Sequence, residues 1–516
     1  MFKSLKAYWE QHPLAVILWT AIILRLVSVI FAKGFGMHDD HFLVIEPPYS
    51  WAHGHDYSNY LPDAAGHNHP TGHSFFYNSI QYLLFLLLKI LRVGYPQLQM
   101  LFIRLVHAAF SLITVVLGYR ITARLYDAKS ARLAGLLLAA YWFMPWLSVR
   151  NLVEVVCIPF LLMATWLTLT AGERKHPYGV YLLAGLLFGL AFSIRFQTIF
   201  FALGTGLALF IFKKWREGLL IGAGTLAGII LTQGGIDFFI WGRPFAEMTE
   251  YIRYNIHSAR DYIVGPWYNY LLDILGLLLP PVSFFLFFGF FRKIKKHLLL
   301  FLPAFLFLLF HSVFPNKQER FILPMIPYVI ILGTVGWREF AARSGFWIHR
   351  PGLHKACWIF FWSVNLILLS FVSTMYSKKA RVESMTYLSH YRDVHYVLFD
   401  DTYRPDVKIP PTFYYGAPLH VYSLCEGNPY DSVKAQLKRI PPDRYPAFVL
   451  FFDDRDLEKR VNRVKALLPD ITFETTIKPG FVDHLLYELN PNNMNQTIYI
   501  YRNRDFFPYK IPGKRK

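Results

Sequence analysis

Two acids and two histidines adjoin one another at His38-Asp39-Asp40-His41-Phe42, directly after an apolar run from Pro13 to Ala32, and Glu46-Pro47-Pro48 follows. Ionised groups at depth in lipid are costly, so this stretch is expected to line a wet cavity at the mouth of a helix. Asp39, Asp40, His38 and His41, with His67 and His69 further on, offer ligand types that suit a divalent cation. No H-E-x-x-H spacing singles one out.

A second group of residues is cationic. Arg195 interrupts the run Ala191-Phe192-Ser193-Ile194 at the tip of a hairpin too tight for a solvated loop. A lone arginine there is expensive, so it is expected to meet an anion: a protein carboxylate, Glu154 or Asp237, or a ligand phosphate. Lys317-Gln318-Glu319-Arg320, between Phe314-Pro315 and Phe321, reads either as a solvated loop or as further cations on the same side. Arg150 with Glu154, Arg243, Arg253, His257 and Arg260 occupy other turns on that side.

The elements that must position these residues are membrane helices. The chain has 516 residues, 54% hydrophobic and 18% aromatic, with net charge +19 and three cysteines. Runs such as Leu83–Leu88 and Leu298–Phe310 settle the class as a polytopic α-helical membrane protein. The N-terminal run follows Lys3 and Lys6 without a small-residue cleavage signature and reads as a retained signal anchor. Cys157 and Cys357 fall in apolar segments and Cys425 is alone, so no disulfide framework is read.

Basic clusters at Arg120-Arg124-Lys129-Arg132, Arg174-Lys175, Lys213-Lys214-Arg216, Arg292-Lys293-Lys295-Lys296 and Arg338-Arg343-Arg350-Lys355 mark cytoplasmic loops. Between them the expected spans are 13–32, 99–119, 132–148, 152–171, 178–194, 197–212, 218–238, 268–291, 298–314, 320–337 and 356–376, about eleven helices. The apolar stretch 75–92 is assigned to an interfacial helix of the first outer loop, 33–98, because counting it as a span would invert everything after it. With this orientation the acids of the first loop and the cations above share the non-cytoplasmic side.

Residues 1–376 thus form a transmembrane catalytic domain and 377–516 a soluble extracytoplasmic α/β domain. In the latter, Val397–Phe399, Phe448–Phe452, Ile471–Thr476 and Ile498–Tyr501 read as strands. Asp431–Ile440, Leu457–Leu468 and Phe481–Leu489 read as helices between them. The acidic pairs Asp400-Asp401 and Asp453-Asp454 at strand ends are read as loop caps. Asn495-Gln496-Thr497 matches a glycosylation acceptor.

At the level of motifs, His38-Asp39-Asp40-His41-Phe42 resembles the H-P-D-E-x-F/W motif in the first lumenal loop of glycosyltransferase family 22, the GT-C mannosyltransferases of glycosylphosphatidylinositol and N-glycan precursor assembly. Ser148-Val149-Arg150-Asn151 through Glu154 resembles that family's T-R-x-x-S-N-x-x-E stretch. Asn316-Lys317-Gln318-Glu319-Arg320-Phe321-Ile322-Leu323-Pro324 resembles its H-K-E-x-R-F-I/L-x-P motif, and Arg195-Phe196-Gln197-Thr198 is similar to its R-P-T turn. The resemblance covers roughly residues 10–375. Departures are Asp39 in place of proline, His41 in place of glutamate and Asn316 in place of histidine.

The resemblance implies a GT-C-like fold and an inverting glycosyltransferase, in a bacterial relative of the family. It would move a sugar, mannose foremost, from a polyprenyl-phosphate donor to a lipid-linked or glycan acceptor. In register, Asp40 takes the place of the catalytic aspartate and would be the general base, with Asp39 as the alternate. Arg195, Lys317 and Arg320 would hold the donor phosphate, with His257 a further candidate. His38, His41, Arg150, Glu154 and Glu319 would support these, Glu319 by orienting a cation. No cofactor and no obligate metal are expected, a divalent cation being the one open option. The expected partners are membrane lipids, the donor and the acceptor, with no nucleic acid. The site would face the periplasm in a bacterial inner membrane or the lumen of the endoplasmic reticulum.

Two other functions fit parts of the pattern. A secondary transporter would carry mid-membrane charges on broken helices in repeated halves, whereas here polar residues gather at one face and no halves repeat. A protein O-glycosyltransferase of GT-C type would differ only in taking a polypeptide acceptor.

Overall fold

The computed structural model describes residues 8–505 except 64–65, 262, 293, 392, 408–409 and 491–492. Lys3, Lys6 and Lys293 of the basic pattern lie outside the described residues. Among the described residues, seven helices are long and apolar enough to cross a bilayer: Pro13–Phe31, Pro96–Leu125, Val153–Glu173, Pro177–Ile194, Trp215–Trp241, Glu319–Ala341 and Pro351–Ser373. Shorter apolar helices run over Phe75–Ile90, Phe196–Ile211, Val282–Arg292 and Leu298–Val313. The chain is a polytopic α-helical membrane protein that ends in a small sheet.

Helices in lipid gain little from burying leucine against leucine, so close backbone approach matters more. Helices Pro177–Ile194 and Trp215–Ile229 meet in this way. A Cβ on Gly185 would fall 2.3 Å from the carbonyl oxygen of Ile221. Helices Val282–Arg292 and Ile326–Ala341 do the same at Gly289, where a Cβ would fall 2.1 Å from Gly333 O.

Two expected spans are interrupted. The stretch 132–148 ends as helix Ala128–Ala140, turns through an extended Tyr141 and resumes as Met144–Leu147. Asn365 repairs the break: its Nδ2 donates to Ala140 O at 2.8 Å and its Oδ1 accepts from Trp142 N at 2.9 Å. Backbone groups freed inside a bilayer need such partners. The stretch 268–291 is divided into Asn269–Leu277 and Val282–Arg292, with Pro280 and Pro281 between them, neither of which has an N–H to continue a helix.

The chain groups into two compact units. The first comprises Met1–Ile30, Ser58–Leu84 and Phe102–Thr374, the second Phe31–Tyr57, Phe85–Leu101 and Met375–Lys516. In the second unit a five-stranded sheet forms from β1 (Tyr396–Asp400), β2 (His420–Leu424), β3 (Phe448–Phe452), β4 (Ile471–Ile477) and β5 (Ile498–Asn503), in the order β2-β1-β3-β5-β4. Strands β2, β1 and β3 are parallel, while β5 runs antiparallel to β3 and β4. Phe448-Val449-Leu450-Phe451-Phe452 is apolar at every position because both faces of this central strand are covered. Helices Tyr430–Arg439 and Leu457–Lys465 place Val433, Leu437, Val461 and Val464 against Leu398, Val449 and Phe451.

The four strands and three helices read from the sequence are present, and β2 is an addition. Asn495 is buried and bonded to Asp483, so the glycosylation acceptor is sealed in the fold.

Candidate functional site

In the first unit, helix Pro177–Ile194 stops at Arg195, which turns extended at φ −146°, ψ 109° before the short turn Phe196–Thr198. Arg195 Nη1 donates to Glu154 Oε1 at 2.5 Å, with both side chains buried. Glu154 comes from the four-residue helix Val153–Val156, and Arg320 Nε lies 3.7 Å from the same oxygen. The Phe321 ring supports both guanidinium groups, 4.8 Å from Arg195 Cζ and 5.5 Å from Arg320 Cζ. One carboxylate oxygen thus lies within reach of two arginines.

The carboxylate anticipated for Arg195 is therefore there, and it does not exhaust the residue. Arg195 Nε, Arg195 Nη2 and Glu154 Oε2 are buried with no hydrogen-bond partner among the described residues. Buried polar groups are nearly always satisfied, so such a set calls for a partner from outside the chain, a water or a ligand. Arg320 Nε also donates to Gln318 Oε1 at 2.9 Å. Arg150 is buried and stacks over Trp146 at 4.5 Å.

Other expected residues are placed differently. Lys317 Nζ donates to the carbonyls of His311 at 2.6 Å, Ser312 at 2.8 Å and Phe314 at 2.5 Å. An ammonium has three hydrogens, so Lys317 is fully engaged in closing the end of helix Leu298–Val313 and presents no free donor. That geometry corrects the expectation of a phosphate-facing ammonium. Glu319 is exposed, and among the described residues no cation lies within ion-pair distance of it. Glu154, rather than Glu319, orients the arginines. His257 is exposed at the end of helix Ala246–His257, where its Nδ1 donates to Arg253 O at 2.7 Å.

The acidic stretch lies in the second unit, as the short helix Asp39–Phe42. Asp40 is buried and its Oδ2 accepts the Gly36 N–H at 3.0 Å, while Asp39 is half-buried and His38 exposed. The neighbouring cation Lys378 is pushed down to about 8, by burial first and by Arg381 next, with Asp483 and Asp40 opposing. His41 Nε2 lies 3.3 Å from Glu46 Oε1 and its ring stacks on Tyr414 at 5.5 Å. Glu46 in turn accepts Thr412 Oγ1 at 2.6 Å and Phe413 N at 3.0 Å. His41 is thus an anchor for the turn at 412–414. Among the described residues no three His, Cys, Asp or Glu side chains converge as a cation would require.

Sequence reasoning passed over several polar residues here. Gln197 Nε2 donates to the Tyr251 hydroxyl, whose ring packs 4.9 Å from Phe196. The Tyr270 hydroxyl accepts Gln318 N at 3.2 Å. His311 is buried among Tyr270, Phe307 and Phe321. A tyrosine or histidine in an apolar run is ordinary, so only the proximity of such residues to Arg195 gives them meaning.

Elsewhere in the first unit, Glu247 is a buried acid that holds a loop. Its Oε2 accepts Gly72 N at 2.7 Å, Thr71 Oγ1 at 3.2 Å and His73 N at 3.3 Å, and its Oε1 accepts Trp241 Nε1 at 2.9 Å. Burial pushes its carboxyl up to about 7, against the opposing hydrogen bond from Gly72 and with a further push from Asp237.

Residues 16–410 match the model of the Alg9-like mannosyltransferase family. The chain is 26% identical over 172 residues to mouse alpha-1,2-mannosyltransferase ALG9, covering 30% of this chain and 27% of the mouse protein. It is 22% identical over 342 residues to GPI mannosyltransferase 3 of Yarrowia lipolytica, covering 61% of this chain and 62% of that protein. These matches span less than two thirds of either relative. Among solved structures, ArnT from Cupriavidus metallidurans bound to undecaprenyl phosphate shares the fold with a TM-score of 0.60 at 12% identity, over 94% of this chain and 97% of that one.

Proposed function

The chain belongs to the Alg9-like mannosyltransferase family, and on that premise we propose that it is an inverting transferase. It moves mannose from a polyprenyl-phosphate donor to a lipid-linked or glycan acceptor on the non-cytoplasmic side of its membrane. That membrane is the bacterial inner membrane or the endoplasmic reticulum. The observation that carries this reading is the buried Arg195 guanidinium, with two nitrogens open and a second guanidinium, Arg320, on the same carboxylate. A phosphate monoanion or dianion supplies the oxygens those nitrogens lack. The ArnT structure with undecaprenyl phosphate supports a lipid phosphate in this fold.

In the proposed reaction Asp40, or its neighbour Asp39, takes the proton of an acceptor hydroxyl. The acceptor oxygen bonds to the anomeric carbon as the bond from that carbon to the phosphate oxygen breaks. The electron pair leaves with the lipid phosphate, where Arg195 and Arg320 stabilise it. Lys317 shapes the loop that presents Arg320, and His257 is a weaker candidate for the phosphate. A lipid phosphate is a good leaving group, so little general acid is needed.

Purified protein is incubated with polyprenyl-phosphate mannose and with separate lipid and peptide acceptors. Transfer to the lipid-linked glycan is expected, with inversion at the anomeric carbon. No consumption of this donor, or turnover with a nucleotide sugar instead, would refute the proposal. Asp40→Asn is expected to abolish transfer and to leave donor binding intact, and full activity in that variant would move the base elsewhere.

A further inference from the structure

The unsatisfied atoms around Arg195 are of two kinds. Arg195 Nε and Nη2 are donors, whereas Glu154 Oε2 and His311 Nε2 are buried, lack a partner among the described residues, and are placed to accept. The assignment for His311 follows from its other nitrogen. Nδ1 lies 2.8 Å from Phe307 O, which can only accept, so Nδ1 carries the hydrogen and Nε2 of the neutral ring is a bare lone pair.

An inorganic anion would occupy the donors and leave the acceptors empty. A phosphate carrying hydroxyl groups next to it answers both kinds at once. His311 is 3% exposed and held edge-on to Tyr270, with ring centroids 6.1 Å apart at 85°, and Phe307 is 4.2 Å away. Its centroid is also 6.1 Å from that of Phe321, the ring that supports Arg195. The imidazole is thus fixed in orientation with one nitrogen uncommitted, beside the cations that meet phosphate.

We propose that His311 Nε2 accepts a hydrogen bond from a hydroxyl of the donor's sugar, so that His311 determines which sugar is transferred. This rests on the reading of Arg195 as the donor-phosphate clamp. The hydroxyl oxygen keeps its hydrogen, and His311 takes no proton in the reaction.

The test compares kcat and KM for polyprenyl-phosphate mannose and its 2-, 3-, 4- and 6-deoxy analogues, using wild type, His311→Phe and His311→Gln. The wild type is expected to reject one deoxy analogue by about 10²-fold or more in kcat/KM, as sites built around a substrate hydroxyl do. His311→Phe should erase that one preference while keeping the others, and His311→Gln, which retains an acceptor oxygen, should recover part of it. A His311→Phe enzyme that ranks the donors as wild type does, or His311→Phe and His311→Gln enzymes that weaken on all donors equally, would overturn the assignment while leaving the transferase reading intact. A wild type that consumes none of these donors overturns both.

Discussion

Two buried arginine–carboxylate pairs in this protein are completed to different degrees. In the second unit, Arg460 uses every nitrogen: Nε and Nη2 reach Asp400 Oδ1 at 3.2 Å each, Nη2 reaches Asp400 O at 2.7 Å, and Nη1 reaches the carbonyls of Asp453 and Arg455 at 3.3 Å each. Asp400 Oδ1 also caps the next turn through Thr402 N at 3.1 Å and Thr402 Oγ1 at 2.6 Å. In the first unit, Arg195 makes one bond to Glu154 and leaves two nitrogens open. A satisfied buried pair ties elements together, here the end of β1 to helix Leu457–Lys465. An unsatisfied one leaves hydrogen-bonding capacity that a water or a ligand can take up.

That contrast can be broken by substitution. Arg195→Leu is expected to cost about 10²–10³-fold in kcat, the scale for losing one preorganised donor at a developing charge. Its unfolding temperature should fall far less than that of Arg460→Leu. The Arg460 variant strands Asp400 in the sheet core and should lose about 3–5 kcal/mol of stability, read by limited proteolysis of the C-terminal region. If the Arg460 variant folds normally and loses transfer, the roles of the two pairs are reversed.

Glu247 sharpens the comparison with a pH test. Its folded carboxyl titrates near 7 against an ordinary value of 4.5, so the folded state holds a proton the unfolded chain has lost. Stability is therefore fully present below about pH 4.5 and declines as pH rises through about 7, by on the order of 3 kcal/mol. Thermal unfolding of Glu247→Gln should lack this slope, and a slope unchanged from wild type would assign it to another group.

Lys317→Met is expected to give the smallest effect, about 1.5–3 kcal/mol of stability, the net scale of one charge-assisted hydrogen bond, with donor KM little changed. A selective rise in donor KM would return Lys317 to the phosphate.

Much of this architecture is legible in the chain, and the failures have physical causes. Arg195 is conspicuous because a charge inside Phe192–Phe196 has no cheap explanation, and Glu154 was already one of two named partners. The role of Lys317 is not legible because its partners are backbone carbonyls, which leave no mark on a sequence. The break at Tyr141 went unseen for a related reason, since the side chain that permits it, Asn365, is more than two hundred residues away. Strand β2 leaves a weak signal because it is an edge strand, mostly half-exposed, with His420 and Ser423 breaking the apolar pattern. Strand β3, buried at every position, could hardly be missed.

Equilibrium binding of polyprenyl phosphate to the purified protein asks whether the unpartnered nitrogens of Arg195 receive a lipid phosphate. Binding at least about tenfold weaker is expected for Arg195→Leu, the size of one charge-assisted bond, and wild-type binding for Lys317→Met. Wild-type affinity in Arg195→Leu would contradict the phosphate assignment.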